Sequence, residues 1–248
     1  MSDKLNKYYK HYSTKNTYVN NIAAEHAFPT DLPQNKNACD YFGAPYINNC
    51  AYDGAGEMLK TIVPGDLKPR TMDWKSMGEI SLFDQTEFIN PLYVFNTSSL
   101  DQNGYVYIPN ACRTKGSDCK VHVAIHGCHQ GRETLDSQFV ENTGYLEWAA
   151  ANDIVVVFPQ AKANDLNPKG CWDFWGYTGV DYASSLAVQT STIKNMVERI
   201  ITSPATAASA SPSFFEAMFS QLILENPIVN VLFEGLYELM TNSLHQGL

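Results

Sequence analysis

The sequence predicts an α/β fold, and three stretches predict it. Residues 121–126 form a short apolar strand that stops abruptly at His126-Gly127-Cys128. Residues 138–151 read as a helix, at least from Tyr145 onward. Ile154-Val155-Val156-Val157-Phe158-Pro159-Gln160 is a continuous, β-branched apolar run, the pattern of a parallel strand buried on both faces. Strand, turn, helix and buried strand in series make a βαβ unit.

Composition narrows the function classes. The 248 residues are 44% hydrophobic and 17% charged, a globular balance. The net charge of −9 argues against a nucleic-acid surface, which needs a basic patch. Six cysteines, with Cys39 and Cys50 close together and Cys112 and Cys119 closer still, point to disulfides and an oxidising compartment. The pairing expected is Cys39–Cys50, Cys112–Cys119 and Cys128–Cys171, although spacing alone does not fix connectivity. No Cys or His spacing matches a zinc site. Met1-Ser2-Asp3-Lys4-Leu5-Asn6-Lys7 has no apolar signal core, and no uncharged apolar run is long enough to span a membrane.

Taken in order, residues 4–13 place Leu5, Tyr8, Tyr9 and Tyr12 on one helical face. Residues 17–22 read as a short strand. His26 follows it, held by Pro29, at the kind of position where α/β-hydrolases carry a general base. Residues 31–50 read as a disulfide-stapled loop, and 50–59 lead into a short helix. Residues 79–95 read as mostly extended, and 104–109 as a half-buried strand by their period-two alternation. The aromatic-rich loop 167–177 follows the buried strand, at the end of the sheet that carries ligand crevices in open α/β folds. A helix is expected over 181–201, with Ile193, Met196, Val197 and Ile200 on its apolar face. Residues 202–212 are a Ser/Ala/Pro linker. The apolar tail 213–248 reads as helices docking back, in preference to a partner chain or a membrane or lipid surface.

The chemistry centres on the strand end. A hydrolase strand that stops at His-Gly presents a free backbone N–H to a reacting carbonyl. Such a turn needs a nucleophile, and no Gly-x-Ser-x-Gly elbow occurs in the sequence. Ser98, Ser184 and Ser209 lack the strand-to-helix context of an elbow. Cys128 would be a substitute nucleophile only as a free thiol. His122 and His126, with His129 nearby, raise the question of metal. On one strand His122 and His126 would lie about 13 Å apart, too far for one ion. No metal or cofactor is expected.

His-Gly-Cys-x-Gln (126–130), the strand 154–160 and Asn-Pro-Lys-Gly-Cys-Trp-Asp-Phe-Trp-Gly-Tyr (167–177) resemble poly(3-hydroxybutyrate) depolymerases, more closely their circularly permuted branch. Residues 49–56 and 104–109 share the pattern, and the resemblance covers roughly residues 1–200. It implies an α/β-hydrolase-like sheet, permuted and truncated at its N-terminus, in a partial domain over 1–201. It implies His26 as general base and the Cys128 N–H as half of an oxyanion hole, with Trp172, Trp175 and Tyr177 lining a polyester crevice. It also implies an extracellular protein. The serine, and with it the acidic residue, would lie upstream of Met1, Asp3 being placed too late for that role. The chain is therefore expected to be the C-terminal portion of an esterase, inactive alone, whether a fragment, a misplaced start or a degenerate paralogue.

Overall fold

The computed structural model describes residues 2–13, 16–91, 95–114 and 118–202. The linker and tail expected at 202–212 and 213–248 lie almost wholly outside these residues, as does 92–94. The chain opens with α1 (Ser2–Tyr9). The apolar face expected there is present but exposed: Leu5, Tyr8, Tyr9 and Tyr12 all face solvent, with Tyr8 packed only against the Tyr9 and Tyr12 rings among the described residues. No strand forms at 17–22. That stretch alternates weakly and carries Asn20 and Asn21, which fit a pleated surface poorly, and no neighbouring strand compensates.

Two short parallel strands follow, β1 (Phe28–Thr30) and β2 (Ile47–Asn49). His26 therefore stands before a strand rather than after one. The loop between β1 and β2 is closed by the Cys39–Cys50 disulfide. Helix α2 (Gly54–Ile62) starts where the Asp53 carboxylate accepts the Gly56 N–H at 2.8 Å, a side-chain cap. The same carboxylate accepts the Trp148 indole N–H at 2.8 Å and an Arg70 N–H at 3.0 Å. A single-turn helix α3 (Trp74–Met77) leads into β3 (Gly78–Asp84). Another single turn, α4 (Phe95–Ser98), precedes β4 (Asn103–Pro109). Then come β5 (Lys120–Val123), α5 (Arg132–Leu135), α6 (Gln138–Asn142), α7 (Tyr145–Ala151), β6 (Ile154–Phe158) and α8 (Val188–Thr202).

The main sheet is mixed, in the order β3-β4-β6-β5. β4 runs antiparallel to both β3 and β6, while β5 and β6 pair in parallel with Val121 opposite Val155 and Val123 opposite Val157. All five residues of β6 are buried, as their unbroken apolar run predicts. The core lies between this sheet and α7, where Tyr107, Leu146, Ile154, Val156 and Phe158 are buried with Leu59 of α2. Four segment boundaries differ from expectation. β5 ends at Val123, so His126 is not on the strand. The helix expected over 138–151 is broken at Gly144, whose φ of +96° no helix accepts. The extended reading of 79–95 holds through Asp84 and gives way to a 3₁₀ turn over Gln85–Phe88. The last helix starts at Val188 instead of 181, because residues 181–187 form turns, one of them closed by the Ser184 hydroxyl accepting the Leu186 N–H.

Candidate active site

The last hydrogen bond between β5 and β6 is donated by the Ala124 N–H to the Val157 carbonyl at 2.9 Å. Beyond it the chain turns. His126 folds inward to 2% exposure, where its Nε2 accepts the Ala161 N–H at 3.0 Å. Its Nδ1 therefore carries the proton and donates to the Gly127 carbonyl at 2.7 Å. Burial pulls the imidazole down to about 4, so it stays neutral and serves as a clip between the turn and the segment after β6. Gly131 lets that segment approach: a Cβ there would sit 2.4 Å from the Ala161 carbonyl oxygen.

Gln130 fixes the turn from the other side. Its Oε1 accepts the Gly127 N–H at 2.8 Å, while its Nε2 donates to the carbonyls of Pro45 at 3.1 Å and Tyr46 at 3.0 Å. His129 adopts the left-handed conformation, with φ +61°, and donates its N–H to the Lys169 carbonyl at 2.8 Å. The Cys128–Cys171 disulfide adds a covalent tie to the 167–177 loop. All three disulfides join the expected pairs, and no cysteine is free among the described residues. This removes Cys128 as a thiol nucleophile. Among the described residues no acceptor takes the Cys128 N–H.

The aromatic loop is built around Asp173. Its carboxylate accepts the N–H groups of Trp175, Gly176, Tyr177 and Thr178 and the Thr178 hydroxyl, at 2.6–3.2 Å. Burial alone would raise the Asp173 carboxyl; the Thr178 hydroxyl and these N–H donors outweigh it and hold the group below the usual carboxylate range. Trp172 packs 5.5 Å from the His126 ring and, with Ile125, Gln189 and Ile193, lines a pocket of about 160 Å³. The Trp172 Nε1 is buried without a hydrogen-bond partner among the described residues. Trp175 is 45% exposed, packed edge-on to Phe174 and tilted against Tyr177. Tyr177 has a fastening role: its hydroxyl donates to the Cys171 carbonyl at 2.7 Å and accepts from Gln189 Nε2 at 2.8 Å.

His26 is exposed, its own N–H donating to the Glu25 carboxylate at 3.1 Å. Its flanks are anchored: the Glu25 N–H donates to Cys39 O at 2.9 Å and the Phe28 N–H to Tyr46 O at 2.8 Å. The Tyr46 carbonyl thus receives both the segment after His26 and Gln130 of the turn. Asp3 accepts the Tyr18 hydroxyl on the N-terminal helix. Ser98 is buried, with its Oγ accepting the Leu100 N–H at 3.2 Å, and is no elbow. His122 lies apart from the turn histidines, packed 5.1 Å from the Tyr145 ring. No group of three or more His, Cys, Asp or Glu able to hold a metal ion occurs among the described residues.

No family model matches the chain. A poly(3-hydroxybutyrate) depolymerase of Delftia acidovorans is 38% identical over 201 residues, 80% of this chain. This chain is similar to poly(3-hydroxybutyrate) depolymerases. A polyhydroxybutyrate depolymerase of Talaromyces funiculosus is 35% identical over 197 residues, 75% of this chain. The crystal structure of the PHB depolymerase from Penicillium funiculosum superposes with a TM-score of 0.67 at 34% identity, covering 75% of this chain. A PHB depolymerase complexed with an R3HB trimer gives the same TM-score at 36% identity. The chain spans 38% and 56% of the length of the two sequence relatives and 60% of each solved chain.

The role of loop 41–46 escaped the sequence. Gln130 is visible there as the end of His-Gly-Cys-x-Gln, but its partners Pro45 and Tyr46 lie 85 and 84 residues away. No local pattern signals that contact.

Proposed function

We propose that this chain carries the base-and-oxyanion half of a serine esterase acting on poly(3-hydroxybutyrate) or related polyesters, in a circularly permuted hydrolase order. The reading is carried by one observation: the Cys128 N–H, which no acceptor takes among the described residues, lies in the turn that follows a parallel strand, within a segment similar to polyester depolymerases. His26 is assigned as general base. It precedes the oxyanion turn in sequence and is anchored through Cys39 and Tyr46 to the loop that Gln130 holds against that turn. In the reaction a serine Oγ attacks the ester carbonyl carbon and its proton passes to His26. The carbonyl oxygen, now an oxyanion, is held by the Cys128 N–H. The alkoxide leaves with the proton from His26, and water then attacks the acyl-enzyme to release the hydroxyacid. The three disulfides fit an extracellular setting.

The 248 residues contain no Gly-x-Ser-x-Gly, so they are expected to be inert by themselves on short 3-hydroxyalkanoate esters. Removing the nucleophile of a triad leaves only the contribution of binding and the oxyanion hole. Turnover by the wild-type chain that is abolished in His26→Ala would overturn this.

A second reading is favoured by the exposure of Phe174 and Trp175, at 71% and 45%. The chain then binds a polyester or lipid surface without catalysis. Sedimentation with poly(3-hydroxybutyrate) granules is expected to retain the wild type and to lose Trp175→Ala. Equal retention of both would remove the aromatic loop from substrate binding.

A further inference from the structure

Beside the 172–177 loop, a second set of rings approaches the oxyanion turn, and neither composition nor motif pointed to it. Tyr46 stacks on His129 with centroids 6.2 Å apart and planes 21° from parallel, and Phe42 packs edge-on to Tyr46 at 5.8 Å. His129 is the residue after Cys128, so these rings lead outward from the free N–H. Tyr46 and His129 are both non-glycine residues in the left-handed region, with φ +58° and +61°. Each such residue costs on the order of 1 kcal/mol and persists only where its surroundings over-determine it. Here they do: the Tyr46 carbonyl accepts from Phe28 and from Gln130, its N–H donates to the Gly43 carbonyl, and the His129 N–H donates to Lys169.

Core packing does not account for the arrangement. Phe42 is 64% exposed and Tyr41 49% exposed, so the outer rings face solvent. Residues 41–46 (Tyr-Phe-Gly-Ala-Pro-Tyr) carry no charged side chain. The result is a neutral aromatic strip, continuous with the oxyanion turn and carrying one imidazole at its inner end.

We propose that Phe42, Tyr46 and His129 form a second binding wall for the aliphatic chain of an ester substrate. The proposal rests on the esterase reading above and adds to it a wall supplied by a different loop. Ring faces suit the methyl and methylene groups of a short hydroxyacid repeat, which carries no charge to pair. The His129 ring can donate to a repeat-unit carbonyl beside the one held by Cys128. Gln130 sets the spacing between this wall and the turn, because one side-chain amide contacts both.

The test is calorimetric titration of the intact chain with a soluble linear trimer of (R)-3-hydroxybutyrate, comparing wild type, Phe42→Ser, His129→Asn and Trp175→Ala. Asn tolerates the left-handed conformation, so His129→Asn removes the ring and keeps the turn. Thermal unfolding of each variant is measured in parallel. Phe42→Ser and His129→Asn are each expected to weaken trimer binding about fivefold with little change in melting temperature. Wild-type affinity in both, with weakened binding in Trp175→Ala, would overturn this wall and leave the esterase reading standing. Absence of trimer binding by the wild type would remove both. A wild-type dimer that Phe42→Ser converts to monomer, with trimer binding unchanged, would reassign the strip to self-association and overturn the proposal.

Discussion

Replacing Cys128 and Cys171 together by serine is expected to lower the unfolding free energy by about 4 kcal/mol, the largest loss from any of the three disulfides. Cross-linking restricts the unfolded chain more as the enclosed loop lengthens. This bridge closes a separation of 43 residues, against 11 for Cys39–Cys50 and 7 for Cys112–Cys119, which are worth about 3 and about 2.5 kcal/mol on the same scale. A domain of this kind is stable by only about 5–15 kcal/mol, so the loss is a large fraction of the whole. It has a local component too. The bridge and the His129 N–H bond to Lys169 are adjacent ties between the 126–130 turn and the aromatic loop. Urea unfolding followed by tryptophan fluorescence measures the effect. A midpoint no lower than that of the Cys112→Ser/Cys119→Ser variant would show that the long bridge carries no special weight.

Glu147→Gln is expected to stabilise the protein at pH 8 by up to about 3 kcal/mol while changing little near pH 4.5. Glu147 is 1% exposed, and its Oε2 is buried with no hydrogen-bond partner among the described residues. Burial pushes its carboxyl up to about 7, opposed by its own backbone N–H and by Arg70, and assisted by Asp53 and Asp31. Between the ordinary carboxylate value and 7 the folded state therefore keeps a proton that the unfolded chain has lost. Stability falls as pH rises through that window and is level above it. Gln cannot ionise, so the variant loses this slope. His122 and His126 act in the opposite direction: burial lowers both from 6.5 to about 4, so the unfolded chain takes up protons first and stability falls as pH drops through that interval. These three groups together place the stability maximum near pH 6.5. Unfolding free energies of wild type and Glu147→Gln across pH 4.5–8 provide the measurement. Parallel pH profiles for the two would mean that Glu147 is charged in the folded state.

The parts of this fold legible in the sequence are those whose signal is local. The run 154–158 is apolar at every position because β6 is covered on both faces. Proximity in sequence suggests Cys39–Cys50 and Cys112–Cys119 and leaves Cys128–Cys171, and all three pairs form. Other expectations failed for reasons of context. Residues 17–22 alternate without a strand to pair with. Residues 181–187 have helical composition, but serine and backbone turns hold them short of α8. His126 reads as the last residue of a strand because only the fold supplies the Ala161 N–H that draws it inward. The candidate site is legible on the side made by 126–130 and 167–177. Its other side is assembled from residues 25–46, through main-chain carbonyl contacts that no side-chain pattern announces.

That last point bears on Gln130. Its amide grips the 41–46 loop only by main-chain oxygens, those of Pro45 and Tyr46. Recognition of this kind is indifferent to which side chains the loop displays. The loop can therefore exchange exposed rings such as Phe42 for smaller or larger groups while the 126–130 turn keeps its geometry. In such a scaffold the surface of the loop and the shape of the turn can drift separately, and a single glutamine is the joint that lets them.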